Sequence, residues 1–184
     1  ADKNNLFGTY HELFVITPFL SKGILQTLSN NGLKNATRTL ITRKSELHKL
    51  SSELLTEFET FTLKDAIVGG EEALSECRDE IVDGTDSLAK QEDLQRNDIH
   101  AKIYLKTKYP DSELYIGSAN ASERAFGGNV ECLLKLYGKR GKLNVDMLWD
   151  DLIGDDDKKS PFERMEAKDY TQDDKDVIGD MLGS

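Results

Sequence analysis

Residues 97–136 read NDIHAKIYLKTKYPDSELYIGSANASERAFGGNVECLLKL. A strand repeats every two residues, so His100, Lys102 and Tyr104 fall on one face of the first run. Ile99, Ala101, Ile103 and Leu105 fall on the other. Tyr109-Pro110-Asp111-Ser112 is a turn, and a second apolar run follows it and ends in Gly117-Ser118-Ala119-Asn120. A third run, Val130 to Tyr137, carries Glu131. Two alternating runs around a short polar turn predict a hairpin. Pairing them brings His100, Lys102, Ser118 and Asn120 to one end. A cation, two neutral hydrogen-bonding groups and a potential nucleophile are a set that suits a phosphate.

Upstream, Glu12 to Phe19 is a short apolar run rich in β-branched and aromatic residues, the pattern of a buried strand ended by Pro18. Ser21 is placed to cap a helix through about Ser29, which Asn30-Asn31-Gly32 stops. Ala36 to Thr42 predicts a second strand. SELHKLSSELLTEF, from Ser45, predicts one helix with an apolar stripe at Leu47, Leu50, Leu54 and Leu55. Thr60 to Val68 predicts a third strand closed by Gly69-Gly70. This succession makes the fold class α/β, a mixed sheet sandwiched between helices.

Residues 71–96 are strongly charged, with one helix expected over 71–82. Past the hairpin, Gly138 to Lys142 reads as a basic turn, and Asn144 is placed to cap a helix through Leu152. The expected organisation is one domain over 1–153 and an acidic, loosely packed tail over 154–184, ending in a short helix.

The 184 residues carry a net charge of −10. The stretch 142–184 holds six Lys and Arg against thirteen Asp and Glu, so it accounts for −7 of that total. The other 141 residues are close to balance, and a local basic groove is compatible with the acidic whole. Composition argues against a general nucleic-acid coat protein but not against a DNA substrate. Cys77 and Cys132 have no metal-ligand spacing, and Cys132 is expected to be a small buried apolar residue. The chain has no run of eighteen apolar residues and no basic-then-apolar leader, so a cytoplasmic location without membrane contact is expected. An Ala start and a Gly-Ser end fit a piece of a longer chain as well as a processed whole one.

Each candidate also has an ordinary reading. His100 could be a hydrogen-bonded core histidine, Lys102 a side chain snorkelling from a sheet edge, and Glu131 a solvated strand carboxylate. Gly117, Ser118 and Asn120 could merely end a strand. Their joint spacing outweighs these readings for this set. His11 and His48 gain no such support. Lys106, Lys108, Arg124, Arg38, Arg43 and Lys44 are either phosphate contacts or surface charges.

That spacing resembles the phospholipase D superfamily, whose signature is His-x-Lys followed by Gly-Ser-x-Asn, here His100, Lys102, Gly117, Ser118 and Asn120. Nuclease members add a Glu about eleven positions after the Asn, where Glu131 stands. The family's Asp, five residues after the Lys and mainly structural, is Thr107 here, with Asp111 the nearby carboxylate to stand in. The resemblance implies a phospholipase D-like fold and double displacement at phosphorus without a metal or cofactor. One histidine forms a phosphohistidine, and a second protonates the leaving oxygen. Imidazole, with an unperturbed pKa of about 6.5, can do both near neutral pH.

Lys102, Ser118 and Asn120 would then hold the phosphate oxygens, and Glu131 would orient His100. The motif occurs once, so the resemblance also implies a homodimer sharing one site. Small single-motif members are mostly nucleases, including metal-independent restriction endonucleases. DNA cleavage, as the catalytic part of a restriction or defence enzyme, is therefore the favoured expectation. A non-catalytic nucleic-acid-binding or scaffold module and a phospholipid phosphodiesterase are the alternatives. The last is disfavoured because there is no basic amphipathic helix.

Overall fold

In the computed structural model, which describes residues 5–64, 99–153 and 160–166, the first apolar run is β1 (Tyr10–Ile16). A 3-10 turn, Asn5–Phe7, leads into it. Helix α1 (Lys22–Asn30) and β2 (Gly32–Ile41) complete a β-α-β unit, and β3 (Glu59–Leu63) extends it. The hairpin forms as expected from β4 (Ile103–Lys108) and β5 (Asp111–Gly117), with Lys108 opposite Asp111 across the Tyr109-Pro110 turn. A short helix α4 (Glu123–Gly127), β6 (Leu133–Lys139), helix α5 (Val145–Ile153) and β7 (Phe162–Met165) follow.

These strands form one mixed sheet in the order β6-β5-β4-β1-β2-β3-β7. β1, β2 and β3 run parallel, and every other pairing is antiparallel. The two-residue period divides the core between two faces. Leu13, Val15, Leu40 and Tyr104 pack under the helices that carry Leu25, Leu28, Leu47 and Leu55. Phe14, Ile16, Ile41, Leu105 and Leu114 pack on the opposite side, against Val145, Leu148 and Trp149 of α5. The chain is thus α/β with helices on both faces of the sheet. Asn144 caps α5 as expected, its side-chain oxygen accepting from the Met147 amide at 2.8 Å.

Several expectations need correction. The Leu-rich stretch is not one helix but two short ones, α2 (Lys44–Leu47) and α3 (Ser52–Leu55). Glu46 is buried, and its carboxylate accepts from the Leu20 amide at 2.9 Å. The break at 48–51 keeps that contact while Leu47, Leu50, Leu54 and Leu55 all stay in the core. The sheet does not end before residue 153 either. Phe162–Met165 lies within the expected tail and pairs with β3, Leu63 opposite Phe162. The rest of that tail, and the helix expected over 71–82, lie outside the described residues. Lys106 is not a surface charge but is 2% exposed, paired with Glu113 at 3.2 Å across β4 and β5. Glu113 also accepts from Lys135 at 2.7 Å and from the Tyr115 hydroxyl at 2.8 Å, so one carboxylate serves two ammonium groups, and burial holds the Lys106 pKa below its ordinary value. Arg38 bonds the Tyr10 hydroxyl at 2.9 Å and the Ser29 carbonyl at 3.1 Å, a structural role.

Asp111 does not replace the missing aspartate, since its carboxylate pairs with Lys139 at 2.5 Å on the outer strand. Thr107 is buried and shares a 3.1 Å hydrogen bond with Ser112. The carboxylate beside it comes from β1: Glu12 stands opposite Thr107 and accepts from Arg140 at 2.7 Å and from the Tyr109 hydroxyl at 2.8 Å. Burial alone would raise the Glu12 pKa, but these donors outweigh it and hold it below its ordinary 4.5. A carboxyl depressed in the fold stabilises above its unfolded pKa and loses that contribution as pH falls through the folded value. Glu12→Gln should therefore cost about 1 kcal/mol at pH 7, a modest figure because Arg140 is partly solvated. In urea melts at several pH values the gap to wild type should close below about pH 4, as protonation of the wild-type carboxyl removes the same interaction. A gap that persists unchanged at pH 3 would contradict this.

Candidate functional site

The register sets the site's frame. Ile16 lies opposite both Ile41 and Ile103, Ile103 opposite Ile116, and Gly117 opposite Leu133. The first residues beyond this row therefore share one edge of the sheet: Thr17, Thr42 and Arg43, Lys102, Ser118 and Cys132. This edge is also the C-terminal end of the three parallel strands, beside the point where the sheet changes to antiparallel pairing. In open α/β sheets that is where crevices for ligands form.

His100 and Lys102 reach the edge differently from what alternation predicts. They precede β4 rather than lie within it. His100 is exposed and Lys102 half-buried. The chain is still tied to the hairpin, because the Gly117 amide donates to the Lys102 carbonyl at 3.2 Å. The Lys102 ammonium turns back onto the His100 carbonyl at 2.9 Å, so the two are held as one unit.

Ser118 forms the closest side-chain junction. Its hydroxyl donates to Glu131 at 2.5 Å and accepts from the Cys132 amide at 3.0 Å, while its own amide donates to the Cys132 carbonyl at 3.0 Å. Glu131 thus stands just before β6 rather than on a strand, joined to Ser118 and to the Asn129 amide group at 3.4 Å. This junction needs Gly117. A Cβ there would lie 1.9 Å from the Cys132 carbonyl oxygen and 2.9 Å from its carbon, both backbone atoms. Cys132 itself is exposed, not buried as expected, while its backbone bonds Ser118. Cys77 lies outside the described residues.

Asn120 is half-buried, and its side-chain oxygen is buried without a hydrogen-bond partner among the described residues. A buried acceptor left unmade costs about 1–3 kcal/mol. The loop holding it is fixed on both sides. The buried Tyr104 hydroxyl donates to the Ala119 carbonyl at 2.8 Å, and burial pushes that hydroxyl's pKa well above the usual phenol range. Thr17 accepts from the Ala121 amide at 3.1 Å, and the Ser21 amide donates to the Ala121 carbonyl at 2.8 Å. Ser21 stands at the N-cap position of α1 as expected, but its hydroxyl makes no capping bond and accepts from the Glu123 amide at 3.1 Å.

Thr17, Ser21 and Tyr104 are thus positioning residues that motif spacing does not reveal. The rule for strand ends in α/β sheets does point at the first two. His11 stacks on Tyr109 with ring centroids 4.4 Å apart, at the other end of the sheet, and His48 lies in the turn after α2. Neither belongs to this edge.

A cavity of about 410 Å³ opens beside the junction, lined by Tyr115, Ala119, Phe126, Asn129, Glu131 and Lys135 among others. A larger one, about 620 Å³, lies between Phe61, Trp149 and Phe162 on the opposite face and holds none of the motif residues. Of the candidate residues the smaller is lined by Glu131 but not by His100, Lys102, Ser118 or Asn120. Among the described residues no group of three or more His, Cys, Asp or Glu could hold a metal ion, and no helix is long and apolar enough to cross a membrane. The chain matches no protein-family model and no curated protein.

Proposed function

We propose that the chain is a phospholipase D-like phosphodiesterase, a DNA endonuclease working without a metal through a phosphohistidine on His100. The observation that carries this reading is the single sheet edge shared by Lys102, just before β4, Ser118, just after β5, and Cys132, just before β6, with His100, Asn120 and Glu131 within two residues of them. In the reaction an imidazole nitrogen of His100 attacks phosphorus, and the bond to the leaving oxygen breaks. The imidazolium of a second His100 gives that oxygen its proton. The same second imidazole then takes a proton from water, whose oxygen attacks phosphorus and releases His100. Lys102 and Asn120 bind the nonbridging oxygens as charge builds on them. Phosphate also competes for the Ser118 proton, and its capture releases Glu131 to orient His100.

The second histidine comes from a second copy about a two-fold axis. One feature supports that assembly: Ile116, Leu134 and Leu136 leave an exposed apolar row on β5 and β6, on the face away from the smaller cavity, that a second copy would cover. The Glu12 network props the hairpin that lacks the family's aspartate. Light scattering of the active protein should give the mass of a dimer. A monomer that cleaves phosphodiesters would overturn the shared site.

A further inference from the structure

Phe19 is the exception in its loop. Pro18 and Leu20 on either side of it are buried, yet Phe19 is 45% exposed. The exposure is imposed by fixed backbone. The Phe19 carbonyl accepts from the Thr17 hydroxyl at 3.0 Å, the Leu20 amide is held by the buried Glu46 carboxylate, and the Ser21 amide by Ala121. Proline restricts the chain further. An aromatic ring is thus held out in water on a rigid loop.

Its place is as specific as its exposure. The Thr17 hydroxyl that holds Phe19 also accepts from the amide of Ala121, next to Asn120. Leu20 bridges to Ala121 directly. Phe19 is therefore two residues, on the order of 7 Å of chain, beyond Thr17, which flanks Lys102. The Arg43 guanidinium lies 4.4 Å from the ring centroid. Lys22 and Lys44, both exposed, continue the positive charge along this edge, in a chain that is acidic overall.

We propose that Phe19, backed by Arg43, stacks an unpaired nucleobase that flanks the reacting phosphate. The proposal rests on the phosphodiesterase reading above and narrows its substrate to strands with an unpaired or extruded nucleotide there. A ring standing free at a sheet edge offers one open π-face, and every base can stack on it. In an intact duplex the base faces are already occupied. Arg43 adds a cation beside the platform that can pair with the strand's phosphates.

Fluorescence anisotropy with a labelled twelve-residue oligo(dT) tests the platform, with hydrolysis of bis(p-nitrophenyl) phosphate in EDTA by wild type measured in parallel. Phe19→Ala should weaken oligo(dT) binding about tenfold, and Phe19→Trp should restore it. Binding of the paired twelve-mer should depend far less on the ring. If Phe19→Ala binds oligo(dT) like wild type, or loses the duplex as strongly as the single strand, the platform is wrong. Wild-type protein that binds oligo(dT) through Phe19 but hydrolyses no phosphodiester supports the platform and overturns the catalytic reading alone.

Discussion

His100→Ala is expected to lower phosphodiester cleavage by at least about 10³-fold, the largest effect of any single substitution. In a shared two-fold site the same residue is nucleophile in one copy and proton donor in the other, so one substitution removes both functions. Proton transfer alone is worth about 10²–10⁴ in rate, and losing the covalent route adds to it. A 10³-fold loss corresponds to about 4 kcal/mol of barrier. The fold should be untouched, because His100 is exposed and precedes β4. Steady-state hydrolysis of bis(p-nitrophenyl) phosphate checks the rate and a thermal melt checks the fold. Activity within tenfold of wild type would remove His100 from the chemistry.

Gly117→Ala should damage both stability and activity. The added methyl cannot fit 1.9 Å from the Cys132 carbonyl oxygen, and backbone rather than a movable side chain blocks it. β5 and β6 must separate where Ser118 and Cys132 exchange their bonds. Forced overpacking costs about 1–3 kcal/mol, and each lost hydrogen bond about 0.5–1.5. A total near 3 kcal/mol lowers the melting temperature of a domain this size by about 6–12 °C. Ser118, Asn120 and Glu131 move with the strand ends, and a displacement of about 1 Å can cost 10²-fold in rate. Scanning calorimetry and the same hydrolysis assay measure the two effects. A variant that melts like wild type and keeps its rate would mean that the close approach at Gly117 does not shape the site.

Much of this frame is legible in the sequence because it follows from local rules. The β1-α1-β2 unit, the β4–β5 hairpin and the α5 cap rest on two-residue alternation, turn residues and a capping asparagine. What escapes such rules is settled by partners distant in sequence. The helix expected from Ser45 breaks where Glu46 is anchored to Leu20, 26 residues away. Lys106 looks like a surface charge until Glu113 on the neighbouring strand takes it inside. β7 lies hidden in an acidic stretch, because four residues at an edge carry too little pattern to outweigh the charge around them. At the candidate site, spacing singles out five side chains, but not that His100 and Lys102 precede their strand or that Glu131 is bonded to Ser118. Nor does any spacing rule find Thr17, Ser21 and Tyr104, whose part is to hold the Ser118–Ala121 loop.

The most direct test is plasmid cleavage in excess EDTA by wild type and His100→Ala side by side. Wild type should nick and linearise the plasmid at an undiminished rate, with the His100→Ala lane left supercoiled. Cleavage that EDTA abolishes, or that survives the loss of His100, would contradict a metal-independent phosphohistidine route.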